Sequence, residues 1–277
     1  MPRPVTIEDL KRAGIFRNED TTVDDATISF LARSPKTQRR FFAKNERIFE
    51  QYAPNTKTIL LLLEGIGHVR RFDNTGRVER HLAFRIPGEQ MGLALALANT
   101  VYDATTHALT DLQVIEISCE DFLTAMQYSR PLIQNTVRSL SYRFHHYAFY
   151  LQNALAFANR DEIVENYKDR FSVLLLEAHQ AIRANNLIGN KITKIPIKQD
   201  DIAEFLRIPR EQLINTILPS FRDTGLMNRN VTLATLTDQQ IAKLLERLEG
   251  RGIELYLHQK KLKSGGSAPK LYLQQGI

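Results

Sequence analysis

The sequence has a single cysteine, Cys119, among its 277 residues. One thiol excludes an intrachain disulfide framework and any cysteine-rich zinc or iron–sulfur site held within one chain. Long apolar runs are also missing: no stretch reaches the roughly 18 residues that would suggest a membrane span. The start, Met1-Pro2-Arg3-Pro4, leads straight into polar sequence without a signal-peptide core, so a cytoplasmic location is expected. Catalytic signatures are absent too, with no serine nucleophile elbow and no phosphate-binding glycine loop. His68, His81 and His107 stand apart, without the His-x-His cluster that a cupin-like metal site uses. No enzyme, metal or other cofactor is therefore expected. A cupin-like metal-dependent enzyme is the outlying alternative, and Cys119 reads as a buried, inert thiol.

The remaining composition is that of an ordinary globular protein, 43% apolar and 25% charged, long enough for two domains. The net charge of +6 is compatible with a polyanionic partner but does not demand one. Residues 31–80 hold 11 Lys and Arg against 5 Asp and Glu, whereas residues 161–277 hold 17 against 14. Charge alone does not locate an interface.

Residues 1–40 read as a polar leader with one short helix, Ile7–Ala13, stopped by Gly14. From Phe41 to Phe122 the texture changes to short apolar or alternating runs: Arg47–Glu50, Thr58–Leu63, His68–Phe72, Val78–Phe84 and Val114–Ile117. Pro54-Asn55, Glu64-Gly65, Asp73-Asn74-Thr75-Gly76 and Pro87-Gly88 punctuate them. Many short strands between regular turns predict a β-sandwich or β-roll, with Asp73–Gly76 as a hairpin turn.

Beyond Ser129-Pro131 the period becomes helical. Val137, Leu140, Phe144, Tyr147, Leu151, Ala154 and Ala158 recur at spacings of 3, 4, 3, 4, 3 and 4, a seam sustained for three heptads. Such a stripe meets either a partner helix or its own β-domain. A homodimer is the preferred reading. Residues 161–190 continue as helix, with Phe171, Leu174, Leu175 and Ala178 on one face and Gly189-Asn190 ending it.

After a β-like entry at Ile195-Pro196-Ile197, residues 198–217 predict two compact helices. The first turns Ile202, Ala203, Phe205 and Leu206 inward, with small Ala203 at the crossing point. The second starts near Pro209 and buries Leu213 or Ile214, then Ile217 and Phe221. This is the make-up of a helix-turn-helix. Arg210, Glu211, Gln212 and Asn215 point outward, the side-chain types that read base edges, while Lys198 and Arg222 suit phosphates. Asn228–Asn230 makes a turn before a short strand at Val231–Leu233, and Thr237 opens a capped helix through Ile241, Leu244, Leu245 and Leu248. Two strands, Ile253–Leu257 and Leu271–Leu273, are expected in the tail.

Pro87-Gly88-Glu89-Gln90-Met91-Gly92, Val114–Ser118, Pro209–Gln212 and Thr224–Met227, in this order, resemble the cyclic-AMP receptor protein and FNR-type (Crp-Fnr) family of bacterial transcription regulators. The resemblance spans residues 41–236. It implies an α+β fold: an N-terminal cyclic-nucleotide-binding-like β-roll, a long dimerisation helix and a C-terminal winged helix-turn-helix. The expected domains are a leader (1–40), a sensor (41–125), a dimerisation helix (126–160), the winged helix-turn-helix (161–236) and a C-terminal helix and tail (237–277). The implied partners are a second copy and double-stranded promoter DNA with half-sites about one helical turn apart. RNA polymerase is a candidate further partner, and no membrane is expected.

The sequence departs from the family at two places. Between Ile202 and Met227 it carries one residue more than the family pattern, and Pro219 falls where it should bend or shorten the reading helix. In the sensor, the resemblance puts an effector pocket at Gly88, Glu89, Gly92, Leu93 and Tyr102. Leu93 stands where cyclic-nucleotide binders carry a ribose-binding Glu, and Val101–Thr105 lacks their phosphate-binding Arg. Without that cation a cyclic phosphate loses its strongest hydrogen bonds, and Asp103 would repel it. Cyclic AMP is not the expected ligand, and the effector is unassigned. Leu93–Ala98 reads as an ordinary core helix ahead of an apolar pocket wall. A regulator of the same fold without any effector is the alternative.

Overall fold

Alternation of apolar and polar residues between 38 and 118 builds two antiparallel four-stranded sheets in the computed structural model. It describes residues 4–17, 21–76, 78–158, 163–225 and 233–251, without the side chains of 78–80, 145–158 and 163. The chain divides into two compact units, one of residues 1–142 with 184–191, the other of 143–183 with 192–274. The expected strands of the tail, the turn at 228–230 and Leu226-Met227 lie outside the described residues.

In the first unit the strands are β1 (Gln38–Phe42), β2 (Arg47–Phe49), β3 (Thr58–Glu64), β4 (Gly67–Phe72), β5 (Val78–Arg85), β6 (Gln90–Met91), β7 (Thr105–Ala108) and β8 (Leu112–Ser118). One sheet has the order β1-β8-β3-β6 and the other β2-β7-β4-β5. β3 is apolar without alternation because both its faces are buried. Leu60 and Leu62 join Phe42, Phe49, Tyr102 and Val114 in one core cluster. Ile59, Leu61 and Leu63 point the other way, into a second cluster that includes α3 (Leu93–Ala98) and α4 (Cys119–Tyr128). The Asp73–Gly76 hairpin forms as predicted: Gly76 takes φ +80° and donates its amide to Asp73 O at 3.1 Å.

The N-terminal segment differs from expectation. It is not a polar leader but a structural layer with two helices, α1 (Ile7–Lys11) and α2 (Asp25–Arg33). Leu10, Ala13, Ile15, Phe16, Val23, Ile28 and Leu31 are buried in the second cluster. Their spacing is spread over two short helices and a turn, so no long periodic stripe announces them. Local caps define both helices: Thr6 and Asp9 exchange hydrogen bonds around α1, and Asp24 accepts the Thr27 amide at 2.8 Å to start α2. Asp9 also pairs with Arg39 at 2.5 Å. Burial works against the Asp9 carboxylate, but the Thr6 hydrogen bonds and Arg39 together hold its pKa below the ordinary value.

The long helix α5 (Arg130–Ala158) starts at Ser129, whose hydroxyl accepts the Leu132 amide. Leu132, Asn135, Thr136 and Ser139 form its buried face, and Asn135 donates to Ile15 O at 3.1 Å. Ser139 bonds Gln90. Ile133, Val137 and Phe144 lie on the exposed side, with Val137 56% and Phe144 77% accessible. The predicted stripe therefore splits: Val137 and Phe144 face away from the chain's own core, while Leu140 packs partly against it. The side chains of Tyr147, Leu151 and Ala154 lie outside the described ones.

The second unit is helical. In α6 (Ile163–Leu187), Phe171, Leu174, Leu175 and Ala178 are buried on the predicted face. β9 (Lys194–Ile195) pairs antiparallel with β10 (Leu233–Ala234). Between them come α7 (Gln199–Leu206), α8 (Arg210–Gln212), a π-helical turn (Leu213–Ile217) and α9 (Leu218–Asp223). α10 (Asp238–Gly250) opens on Thr237, whose hydroxyl accepts the Gln240 amide at 3.2 Å. It is integral to this unit, with Ile241, Leu244 and Leu248 buried and Arg247 and Arg251 both paired with Asp169 of α6. Among the described residues no helix is long and apolar enough to cross a membrane.

Candidate nucleic-acid interface and sensor site

α7 ends where Arg207 turns left-handed (φ +56°), and the Ile208 amide then closes back onto Ala203 O at 3.0 Å. That tight stop and the Pro209 cap aim the next helix across α7. α8, the π turn and α9 run on as one helix from Arg210 to Asp223. Leu213, not Ile214, is the buried residue of its first turn, followed by Ile217, Leu218 and Phe221. The Phe221 ring meets Phe171 of α6 edge-on, with centroids 4.9 Å apart.

Of the expected bend or shortening at Pro219, the shortening does not occur: the helix runs on to Asp223. A proline has no amide hydrogen, and its ring collides with the carbonyl four residues back. Here the turn before it widens, and the Leu218 amide bonds Leu213 O, five residues back. Inserting one residue into a helix produces the same widened turn. The widened turn thus accommodates Pro219, and it is also the form that the surplus residue expected from the resemblance would take.

Lys198, Arg210, Glu211, Asn215 and Arg222 are exposed, and Gln212 is half-buried. Arg210 Nε pairs with Asp200 Oδ1 at 2.7 Å, both side chains being exposed. Sequence reasoning missed two residues of this surface: Asp200, which orients Arg210, and Thr216, exposed beside Asn215. The signals available were the one-residue surplus and Pro219.

In the first unit, Gly88 (φ +92°) donates to Leu62 O at 2.8 Å. Glu89 folds back, its carboxylate accepting the Ile86 amide at 3.0 Å. Gly92 (φ +78°) sits where a Cβ would approach the Phe49 ring to 3.2 Å. Leu93 is fully buried in the core, as expected of a core helix. Tyr102 is buried too, stacked on Phe49 at 4.4 Å, and its hydroxyl lies 2.8 Å from Thr56 Oγ1.

The histidines are not isolated in space. His68 Nε2 and His81 Nδ1 lie 2.8 Å apart, both buried, with Phe84 against both rings. His107 is the cross-strand partner of His68, and its Nδ1 accepts from Arg70 at 3.1 Å. Among the described residues, however, no three potential ligands come together to hold a metal ion. Burial, then the neighbouring His81, Arg70 and His107, pushes the His68 pKa well below the ordinary 6.5. Burial, then Arg70 and Arg47, lowers His107 to about 4. An unfolded chain therefore takes up protons near pH 6.5 that the folded chain refuses, so stability is full above that pH and declines below it. The thermal midpoint is expected to fall between pH 7.5 and 5, a window above the carboxylate range, and His107→Gln should flatten the slope. A melting profile indifferent to pH over this range would contradict the assignment.

Residues 39–129 match the family model of the cyclic nucleotide-binding domain. A search of curated proteins finds no match to the chain. Among solved structures, FixK2 from Bradyrhizobium japonicum is similar at 15% identity and a TM-score of 0.57, covering 75% of this chain and 96% of its own. A CRP-family transcriptional regulator from Thermus thermophilus aligns at 19% identity and a TM-score of 0.53, covering 76% and 96%. The c-di-GMP-responsive global regulator CLP of Xanthomonas campestris aligns at 19% and 0.53, covering 77% and 100%. The chain has the Crp-Fnr fold.

Within the Crp-Fnr fold, the Gly88–Gly92 turn and α3 lie in the stretch that matches the cyclic nucleotide-binding domain. Leu93 is buried among apolar residues, and Tyr102 stacks on Phe49 with its hydroxyl at Thr56.

Proposed function

We propose that this chain is a dimeric, sequence-specific DNA-binding regulator of transcription, acting in the cytoplasm without a catalytic step, whose sensor does not take cyclic AMP. The observation that carries this reading is the helix from Arg210 to Asp223. It buries Leu213, Ile217 and Phe221 while exposing Arg210, Glu211 and Asn215 on its first turns. Those side chains match the donor and acceptor patterns of base edges in the major groove. The exposed Val137 and Phe144 on α5 support a helix-to-helix dimer, which would present two such helices to a two-fold operator. RNA polymerase is the further partner such a regulator would engage.

The sensor half of the proposal rests on Tyr102 and Phe49. Their stack favours a second reading within the same function, a regulator that needs no small-molecule effector. Gel retardation of genomic fragments from the source organism, at physiological salt with excess competitor DNA, tests both halves. Retention of a discrete subset, with affinity changed less than two-fold by cyclic AMP, is the expected result. Binding without sequence preference would sink the regulator reading, and a ten-fold gain on adding cyclic AMP would sink the sensor reading.

A further inference from the structure

We propose that the widened turn at Leu213–Ile217 makes Thr216 a base-reading residue, so that the helix presents Arg210, Glu211, Asn215 and Thr216 as one surface. The proposal rests on the DNA-binding reading above and assigns the specificity of that site. In a helix of 3.6 residues per turn, Thr216, five residues after Glu211, would lie about 140° round from it and face the protein. A turn closed by a bond five residues back carries that position back towards the line of Glu211. The burial pattern agrees. Asn215 and Thr216 are adjacent and both exposed, while Ile217 and Leu218 are adjacent and both fully buried. Thr216 thus shares the exposed side of the helix with Glu211 and Asn215.

The Thr216 side chain is also uncommitted. Thr136 and Thr224, elsewhere on helices, donate their hydroxyls to carbonyls four residues back, Leu132 O and Ser220 O. The Thr216 hydroxyl makes no such bond among the described residues. It offers one donor, acceptor lone pairs and a methyl group, which suit a base-edge polar atom and the thymine methyl. Pro219 fixes the arrangement, because restoring a normal turn would bring its ring against the Asn215 carbonyl. The widened turn thus enlarges the reading surface by one side chain.

Selection of binding sites from a random duplex library, using the full chain and its Thr216→Ala variant, tests this. The variant alters an exposed helical position to a good helix former, so its thermal midpoint should match the parent. The expected result is a loss of about ten-fold in discrimination at one base pair of each half-site, with the other positions and the salt dependence unchanged. Identical preferences at every position, to within two-fold, would overturn the role of Thr216 while leaving the DNA reading intact. A parent chain that enriches no sequence would overturn the DNA reading and this inference with it.

Discussion

In the DNA-binding dimer proposed above, glutamate at positions 137 and 144 together is expected to give a monomer and to weaken operator binding by at least about a hundred-fold. Val137 and Phe144 are both exposed within the chain, whereas Leu132, Asn135, Thr136 and Ser139 form the face of α5 that meets its own core. The two charges therefore leave the fold of each subunit in place. Across a two-fold helix pair, each substitution appears twice, and four carboxylates would have to leave water in an apolar seam. Each costs several kcal/mol if unpaired. Loss of the pair also removes the linkage between two half-site contacts, so the second contact no longer benefits from the high effective concentration of the first. Sedimentation equilibrium reads the oligomeric state and fluorescence anisotropy reads DNA affinity. A parent chain that is already monomeric, or a variant that stays dimeric, would show that this face serves something else.

Several of these features are legible in the sequence, and the reasons differ from element to element. β3 is visible because a strand buried on both faces has to be apolar throughout, and the Asp73–Gly76 turn because a left-handed glycine is needed there. Phe171, Leu174, Leu175 and Ala178 repeat with the helical period over a long stretch, so one face of α6 is readable without tertiary information. β7 was not seen: Thr105-Thr106-His107-Ala108 has no apolar alternation, and it pairs through its backbone between β2 and β4. The meeting of His68 with His81 depends on a register shift between Val69 and Arg70, which spacing along the chain cannot reveal. At the candidate interface, residue types were readable but facing directions were not. A single widened turn rotates everything after Leu213, and only the count against a family pattern and Pro219 hinted at it.

Removing the carboxylate of Asp169 should destabilise the second unit by about 3–5 kcal/mol, the range seen when one partner of a buried ion pair is deleted. Asp169 is 0% exposed and sits on α6 two residues before Phe171. Its Oδ2 accepts from Arg251 Nε at 3.0 Å, and its Oδ1 lies 2.9 Å from Arg247 Nη2 as an ion pair. Arg247 also reaches Glu165 at 2.7 Å, and Lys168, then Arg247, holds the Glu165 pKa below its ordinary value despite partial burial. With Asp169→Ala, Arg251 loses its bond to Asp169 and Arg247 keeps only Glu165, in a partly buried site where the cavity left by the side chain stays unfilled. The consequence reaches the reading helix by two routes. Phe171 holds Phe221 from α6, and α10 holds the end of α9 through Gln240, which donates to Gly225 O at 2.8 Å, and Lys243, which reaches Thr224 O at 3.4 Å. Denaturant unfolding should therefore show an early transition for the second unit and an unchanged one for the β-roll, with DNA affinity lost along the first. Asp169→Leu with Arg247→Met and Arg251→Met, which fills the space, removes the carboxylate and both guanidinium groups and leaves Glu165 paired with Lys168, should recover part of the stability. A loss below about 1 kcal/mol for Asp169→Ala would instead mean that water reaches and screens the pair, as at a surface ion pair.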